Sequence, residues 1–312
     1  MIDQTAGAII NQLTITKEQV HGYESEYVED FLIKDTSSFA DAVVDYYYKE
    51  LSSGKSLGLS SLDEGFVMRR AELTLVTGIS SHGKTQILMQ WVHKLTKESK
   101  GLIMSMEMRP EITLARLCKI ALGRNSTGSP PTEKFIREYC KEKNEKIYIY
   151  DQQQETTSAD IFASIIYAKE VLDCEFVVVD SLMTVADIGG DGDMGYNEQK
   201  KFINKLSVLC KALDIHIFLV AHLRKVTDEL SAPDAQAIYG SSNIRNLTDN
   251  ILMVYRNKLK EKWAMEESKT PEELRVIPDC LVYIQKQRNF PYEGKFGFYF
   301  NKNSLTYQES PV

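Results

Sequence analysis

Along residues 72–312, short runs rich in β-branched and other apolar side chains alternate with longer amphipathic stretches. The runs are 73–77, 102–106, 147–150, 176–180, 216–220, 251–255, 281–286 and 296–300. Several are apolar at every position, the pattern of central strands covered by helices on both faces, and the early spacers are long enough for crossover helices. This predicts an α/β domain built on a central, mostly parallel sheet. Only residues 287–295, with Asn289, Pro291 and Gly294, separate the last two runs, which therefore read as a C-terminal antiparallel hairpin. No internal repeat is visible.

Upstream the pattern weakens. Residues 1–35 keep no sustained period and read as a short N-terminal arm. From Ser37 to Leu51, the positions Phe39, Ala42, Val43, Tyr46, Tyr47 and Leu51 recur near 3.6 residues and predict an amphipathic helix, followed by a Ser-Ser-Gly-Lys linker at 52–55. Its apolar stripe needs a partner, either its own domain or a neighbouring subunit. The expected division is an arm and helix at 1–55 and a main domain at 56–312. Two segments, 186–195 with Gly189, Gly190, Gly192 and Gly195, and the charge-dense 256–275, read as surface loops.

Composition then narrows the class. With 43% apolar and 26% charged residues, the chain is an ordered globular protein. A net charge of −7 excludes a global basic field, so any contact with nucleic acid must be local. Cys118, Cys140, Cys174, Cys210 and Cys280 are scattered without a C-x-x-C pair, which indicates reduced thiols in a cytosolic compartment rather than a zinc site. The N-terminal residues lack a secretory pattern, and no run approaches the roughly 18 apolar residues of a membrane span.

The chemistry is concentrated at three places. Gly78-Ile-Ser-Ser-His-Gly-Lys-Thr85 is a complete G-x-x-x-x-G-K-[ST] between an apolar strand and the helical run 86–95. Such a loop curls its N–H groups around phosphates at a helix N-terminus. Gly78, Ser80, Ser81, His82, Gly83, Lys84 and Thr85 are therefore expected around ATP or another nucleoside triphosphate. Lys84 would meet the β- and γ-phosphates, and the Thr85 hydroxyl would meet Mg²⁺. Asp180 closes the apolar run 176–180 at the ligand edge of the sheet, placed to hold the magnesium shell. Glu107, just past the run 102–106, stands on the same edge and can polarise an attacking water.

These motifs, in this order, resemble the RecA-like motor domain of hexameric replicative DNA helicases, the family of bacterial DnaB, phage primase-helicases and Twinkle. The likeness also rests on Ala221-His-Leu-Arg-Lys225, on Lys286-Gln-Arg-Asn289 and on the segment Phe300–Tyr307, and it spans about residues 36–307. It implies that Glu107 is the catalytic glutamate, Asp180 the magnesium aspartate and His222 the sensor of the γ-phosphate. It also implies that Lys286 and Arg288 reach the neighbouring subunit's nucleotide, Arg288 as the arginine finger, and that the helix at 37–51 is a linker helix docking on the adjacent motor. The DNA-facing loop falls at 237–245, where Tyr239, Gly240, Ser241, Ser242 and Asn243 suit phosphate contacts, with Arg224 and Lys225 supplying charge.

The resemblance further implies a homo-oligomeric, hexameric ring on single-stranded DNA, 5′ to 3′ movement, and a separate primase and replisome proteins as partners. The expected setting is the cytoplasm of a bacterial or phage-infected cell, with an organelle left open. Only about 35 residues precede the linker helix, and no primase-like region is expected. Two other functions stay open at this point: a RecA-like recombinase filament, and an assembly factor that uses nucleotide only to set its oligomeric state.

Overall fold

The computed structural model describes residues 35–45, 47–48, 54–151, 155–188, 193–222, 230, 242–290 and 292–311. The chain divides into two compact units, Met1–Ser53 and Gly54–Val312. In the first, Asp35 caps a 3-10 turn, Thr36–Phe39, by accepting from the Ser38 N–H, and helix α1 (Ala40–Asp45) follows. Phe39, Val43, Val44, Tyr47 and Tyr48 are exposed. Tyr46 and Leu51, part of the predicted stripe, lie outside the described residues.

The second unit carries a nine-stranded sheet. Its strands are β1 (Leu73–Gly78), β2 (Gly101–Ser105), β3 (Ile147–Ile149), β4 (Phe176–Asp180), β5 (His216–His222), β6 (Asn250–Arg256), β7 (Cys280–Gln287), β8 (Gly294–Asn301) and β9 (Thr306–Gln308). The order across the sheet is β3-β2-β4-β5-β1-β6-β7-β8-β9. From β3 to β6 every pairing is parallel, and from β6 to β9 every pairing is antiparallel. The expected hairpin is β7–β8. The three-residue β9 extends it, a strand too short to announce itself by alternation.

Strand periodicity divides the apolar side chains into two cores. Val76, Ile103, Val178, Phe218, Val220, Leu252 and Val254 face one side; Leu75, Met104, Val177, Val179, Ile217, Leu219 and Met253 face the other. The first core is covered by α2 (Ser60–Gly65), α3 (Lys84–Leu95), α4 (Pro110–Leu122) and α5 (Glu133–Glu142). The second is covered by α6 (Ser158–Glu170) and α7 (Asp193–Ala212). Burial on both faces explains why these strands are apolar at every position.

Both segments read as loops contain helix. α7 begins at Asp193, so Gly195 lies in its first turn. α8 (Ser242–Leu247) precedes β6. Residues 256–275 form α9 (Lys258–Met265) and α10 (Pro271–Arg275). Local capping accounts for the last two. The Asn257 side chain accepts from the Lys260 N–H, while Thr270 and Glu273 form a capping box around Pro271 at the first helical turn. α9 buries no side chain fully, so charge density hid a helix that its caps define.

Candidate nucleotide-binding and hydrolytic site

The phosphate loop leaves β1 between two neighbouring strands, and close approach fixes its glycines. A Cβ on Gly78 would lie 2.2 Å from the Val254 carbonyl oxygen of β6. Gly83 stands at φ +90° as the N-cap of α3, where a Cβ would lie 2.4 Å from the Tyr307 hydroxyl. The loop curls further through Ser81, at φ +64°.

Strand register brings the distant motifs together. Gly78 pairs with His222 across β1–β5, and Ser105 pairs with Asp180 across β2–β4. The carboxyl ends of β1, β2, β4 and β5 thus open on one cavity of about 890 Å³. Ser80, Ser81, Gly83, Lys84, Thr85, Glu107, Asp180 and His222 all line it.

Two hydrogen-bonded sets meet there. In the first, Thr85 Oγ1 donates to Asp180 Oδ2 at 2.7 Å. In the second, Lys84 Nζ donates to the carbonyls of Gly78 (3.0 Å) and Ile79 (2.9 Å) and lies 3.1 Å from His222 Nδ1. The other His222 nitrogen is 3.3 Å from Glu107 Oε1, which also accepts from Ser181 Oγ at 2.7 Å. Lysine, imidazole, carboxylate and hydroxyl form one chain.

Burial drives the electrostatics. It lowers the Lys84 ammonium to about 8, against the opposing pull of Asp180 and Glu107. It raises Asp180, and the bond from Thr85 offsets only part of that rise. Burial would raise Glu107 too, but hydrogen bonds from Ser181 and His222 carry its carboxyl below the ordinary range. The oxygens of Thr85 and Asp180 are hard donors side by side, with the desolvated Asp180 carboxylate needing a cation beyond the hydroxyl. This donor set fits Mg²⁺, and the lysine beside it fits a polyphosphate.

The other sequence-predicted residues are placed differently. His82 departs from expectation: its ring is buried, Nδ1 accepts from the Arg256 backbone N–H at 3.2 Å, and the ring packs against Tyr255. Its side chain faces the sheet rather than the cavity. Burial, then the charges of Lys258, Lys84 and Arg256, lower it to about 4. Gly78 contributes its carbonyl to Lys84 and is not among the cavity walls. Lys286 and Arg288 stand outside this cavity. Arg224, Lys225, Tyr239, Gly240 and Ser241 lie outside the described residues, while Ser242 and Asn243 open α8.

Sequence reasoning missed one wall. Arg256, Glu261, Ala264 and Met265 from the end of β6 and α9 face the phosphate loop across the cavity, joined by Arg116, Lys302 and Tyr307. Glu261 accepts from Arg256 Nε and, at 3.0 Å, from Lys258. On the α3 side, Gln86 donates to the Leu305 carbonyl, and Gln90 both donates to and accepts from the Tyr307 backbone. The Asn257 and Thr270 caps were the available signal for the helices; nothing local announces that α9 faces the site.

A parallel sheet whose phosphate loop, lysine and hydroxyl meet carboxylates from β2 and β4 at one edge defines a RecA-like P-loop nucleotide-binding domain. The chain belongs to the DnaB-like helicase C-terminal domain family, whose model matches residues 54–309. Among solved structures it is similar to a replicative-helicase ATPase domain (TM-score 0.68, 18% identity, covering 88% of this chain and 99% of that one). It is also similar to a DnaB-like replicative helicase studied for its interactions with primase (0.69, 17%, 97% and 74%). A KaiC-like protein from the hyperthermophilic archaeon Pyrococcus horikoshii matches with a TM-score of 0.54 at 16% identity, covering 80% of this chain and 96% of that one.

Proposed function

We propose that this chain is the motor of a ring-forming replicative helicase, which hydrolyses ATP or a related nucleotide to move 5′ to 3′ on single-stranded DNA and displace the complementary strand. Residues 1–55 serve as arm and linker helix and 56–312 as the motor. The family membership supports the class. The observation that carries the chemistry is the chain Lys84–His222–Glu107–Ser181 beside the Thr85–Asp180 pair.

A bound magnesium nucleotide supplies the phosphoanhydride to be cleaved. Lys84 compensates phosphate charge, and Thr85 with Asp180 holds the metal. Glu107, kept ionised by its hydrogen bonds, accepts the proton of the attacking water. His222 touches both Lys84 and Glu107, which suits it to sense the γ-phosphate. Arg288 and Lys286 serve the adjacent subunit's site, which makes the oligomer a catalytic requirement. The segment 237–245 contacts DNA, with Arg224 and Lys225, and a separate primase and replisome proteins are the partners. The working compartment is the cytoplasm.

The test is hydrolysis with and without single-stranded DNA, read beside oligomeric mass and imaging. A ring whose turnover DNA stimulates is the expected result. A DNA-bound filament would turn the reading to a recombinase, and an oligomer without turnover would turn it to an assembly factor.

A further inference from the structure

Lys286 and Arg288 direct their donors at a single place in their own chain. Lys286 Nζ donates to the carbonyls of Arg245 and Thr248, each at 2.6 Å. The Arg288 guanidinium donates to Asp249 Oδ1 at 3.1 Å and to the Asn246 carbonyl at 2.9 Å. Its backbone N–H donates to the Asp249 carbonyl at 3.0 Å. The carbonyls of 245, 246 and 248 belong to the C-terminal end of α8, where helix acceptors lack partners and the dipole favours cations.

Asp249 joins this cluster to the root of the phosphate-loop strand. It is 3% exposed, whereas Arg288 keeps 45% of its side-chain surface in solvent. Its second oxygen accepts from the Leu73 N–H, at the start of β1, at 3.0 Å. A buried carboxylate is thus fixed on one side by backbone and on the other orients a guanidinium whose remaining surface is free to meet another group. Charge-assisted bonds of this kind are the strong ones, so the two cations and the end of α8 move together rather than slide past each other.

We infer that Asp249 is a positioning residue for Arg288, and that Asp249, the C-terminal end of α8 and the Lys286–Arg288 pair form one coupling unit. A displacement of α8 is passed to the guanidinium offered to the next subunit. The inference rests on the proposed function, in which α8 continues from the DNA-facing segment and Arg288 completes the adjacent site.

A double-mutant cycle in the full chain tests it, with steady-state hydrolysis measured over nucleotide concentration, with and without single-stranded DNA. Asp249→Asn keeps the shape and an acceptor for Leu73 while removing the charge that orients Arg288. It should lower DNA-stimulated kcat about fivefold or more with KM within about twofold, and should cost nothing further in an Arg288→Ala background. A second variant, Asp249→Glu, retains the charge but shifts the carboxylate by one methylene. It should show the same dependence on Arg288, which keeps the cycle readable where the amide variant folds poorly. Equal losses in both backgrounds, or no loss from either Asp249 variant while Arg288→Ala is impaired, would overturn the positioning role alone. Wild-type turnover in Arg288→Ala would overturn the trans-acting reading of Arg288, and the inference with it.

Discussion

Lys84 Nζ lies 3.1 Å from His222 Nδ1, and the opposite ring nitrogen lies 3.3 Å from Glu107 Oε1. With the ammonium donating to Nδ1, the imidazole proton sits on Nε2 and faces the carboxylate, so one ring reports on both the phosphate-binding lysine and the water-activating group. Substituting either end separates their roles. Lys84→Ala should abolish hydrolysis by removing phosphate charge compensation. Glu107→Gln should bind nucleotide within a few-fold of wild type while losing about 10²- to 10⁴-fold in kcat. Normal turnover in Glu107→Gln would return Glu107 to a purely structural partner of Ser181.

Nucleotide affinity should fall on the alkaline side. Lys84 is held near 8, so above that pH a growing fraction of the free protein presents a neutral amine and must take up a proton before pairing with phosphate. The apparent Kd should rise by up to about tenfold per pH unit above 8. For stability the sign is opposite: burying the charged amine is unfavourable below pH 8, and that cost is relieved as pH rises from 8 toward the ordinary lysine value. Calorimetric titration between pH 7 and 9.5 checks the affinity, and a flat Kd would contradict the lowered lysine.

Acid should destabilise the domain through histidines buried in neutral form. Burial first, aided at His82 and His93 by nearby cations, lowers His82, His93 and His216 to about 4 each. The unfolded chain takes up these protons near pH 6.5 and the folded chain only near 4. The stabilisation is complete above 6.5 and is lost as pH falls through that window, up to about 3 kcal/mol for each of His82 and His216. Urea midpoints between pH 7 and 4 should show it, and His82→Asn should remove about one proton from the slope. An unchanged slope would mean that His82 titrates normally.

Arg288 should act in trans. Rings doped with a chain carrying both Lys84→Ala and Arg288→Ala should lose more activity than the mutant fraction predicts, because each such subunit disables its own site and its neighbour's. Loss in simple proportion, in rings shown by mass to be mixed, would place Arg288 within its own chain's chemistry or outside catalysis.

What could be read in advance was whatever the backbone itself demands. The phosphate loop needs glycine where Val254 and Tyr307 crowd it, and that need is written at fixed spacing. Strands buried on both faces are apolar throughout, and carboxylates at their ends, Asp180 and Glu107, fall on the ligand edge by topology. The wall made by Arg256, Glu261, Ala264 and Met265 was hidden because α9 buries no apolar stripe and so carries no period. His82 was misplaced for a related reason: the middle of the loop motif admits any residue, and only the packing of Tyr255 and the Arg256 N–H turns this one inward.

The hydrogen bonds from Gln86 and Gln90 to residues 305 and 307 span 219 and 217 positions of sequence. Contacts this far apart carry a large loop-closure cost and form late. During synthesis the phosphate loop and its helix therefore emerge long before the strand that braces them. A nascent chain lacking β9 would hold every residue of the nucleotide motif and still present α3 without its outer support. Competence to grip a nucleotide is then set by the arrival of the last strand, which delays ligand-driven assembly until the motor is complete.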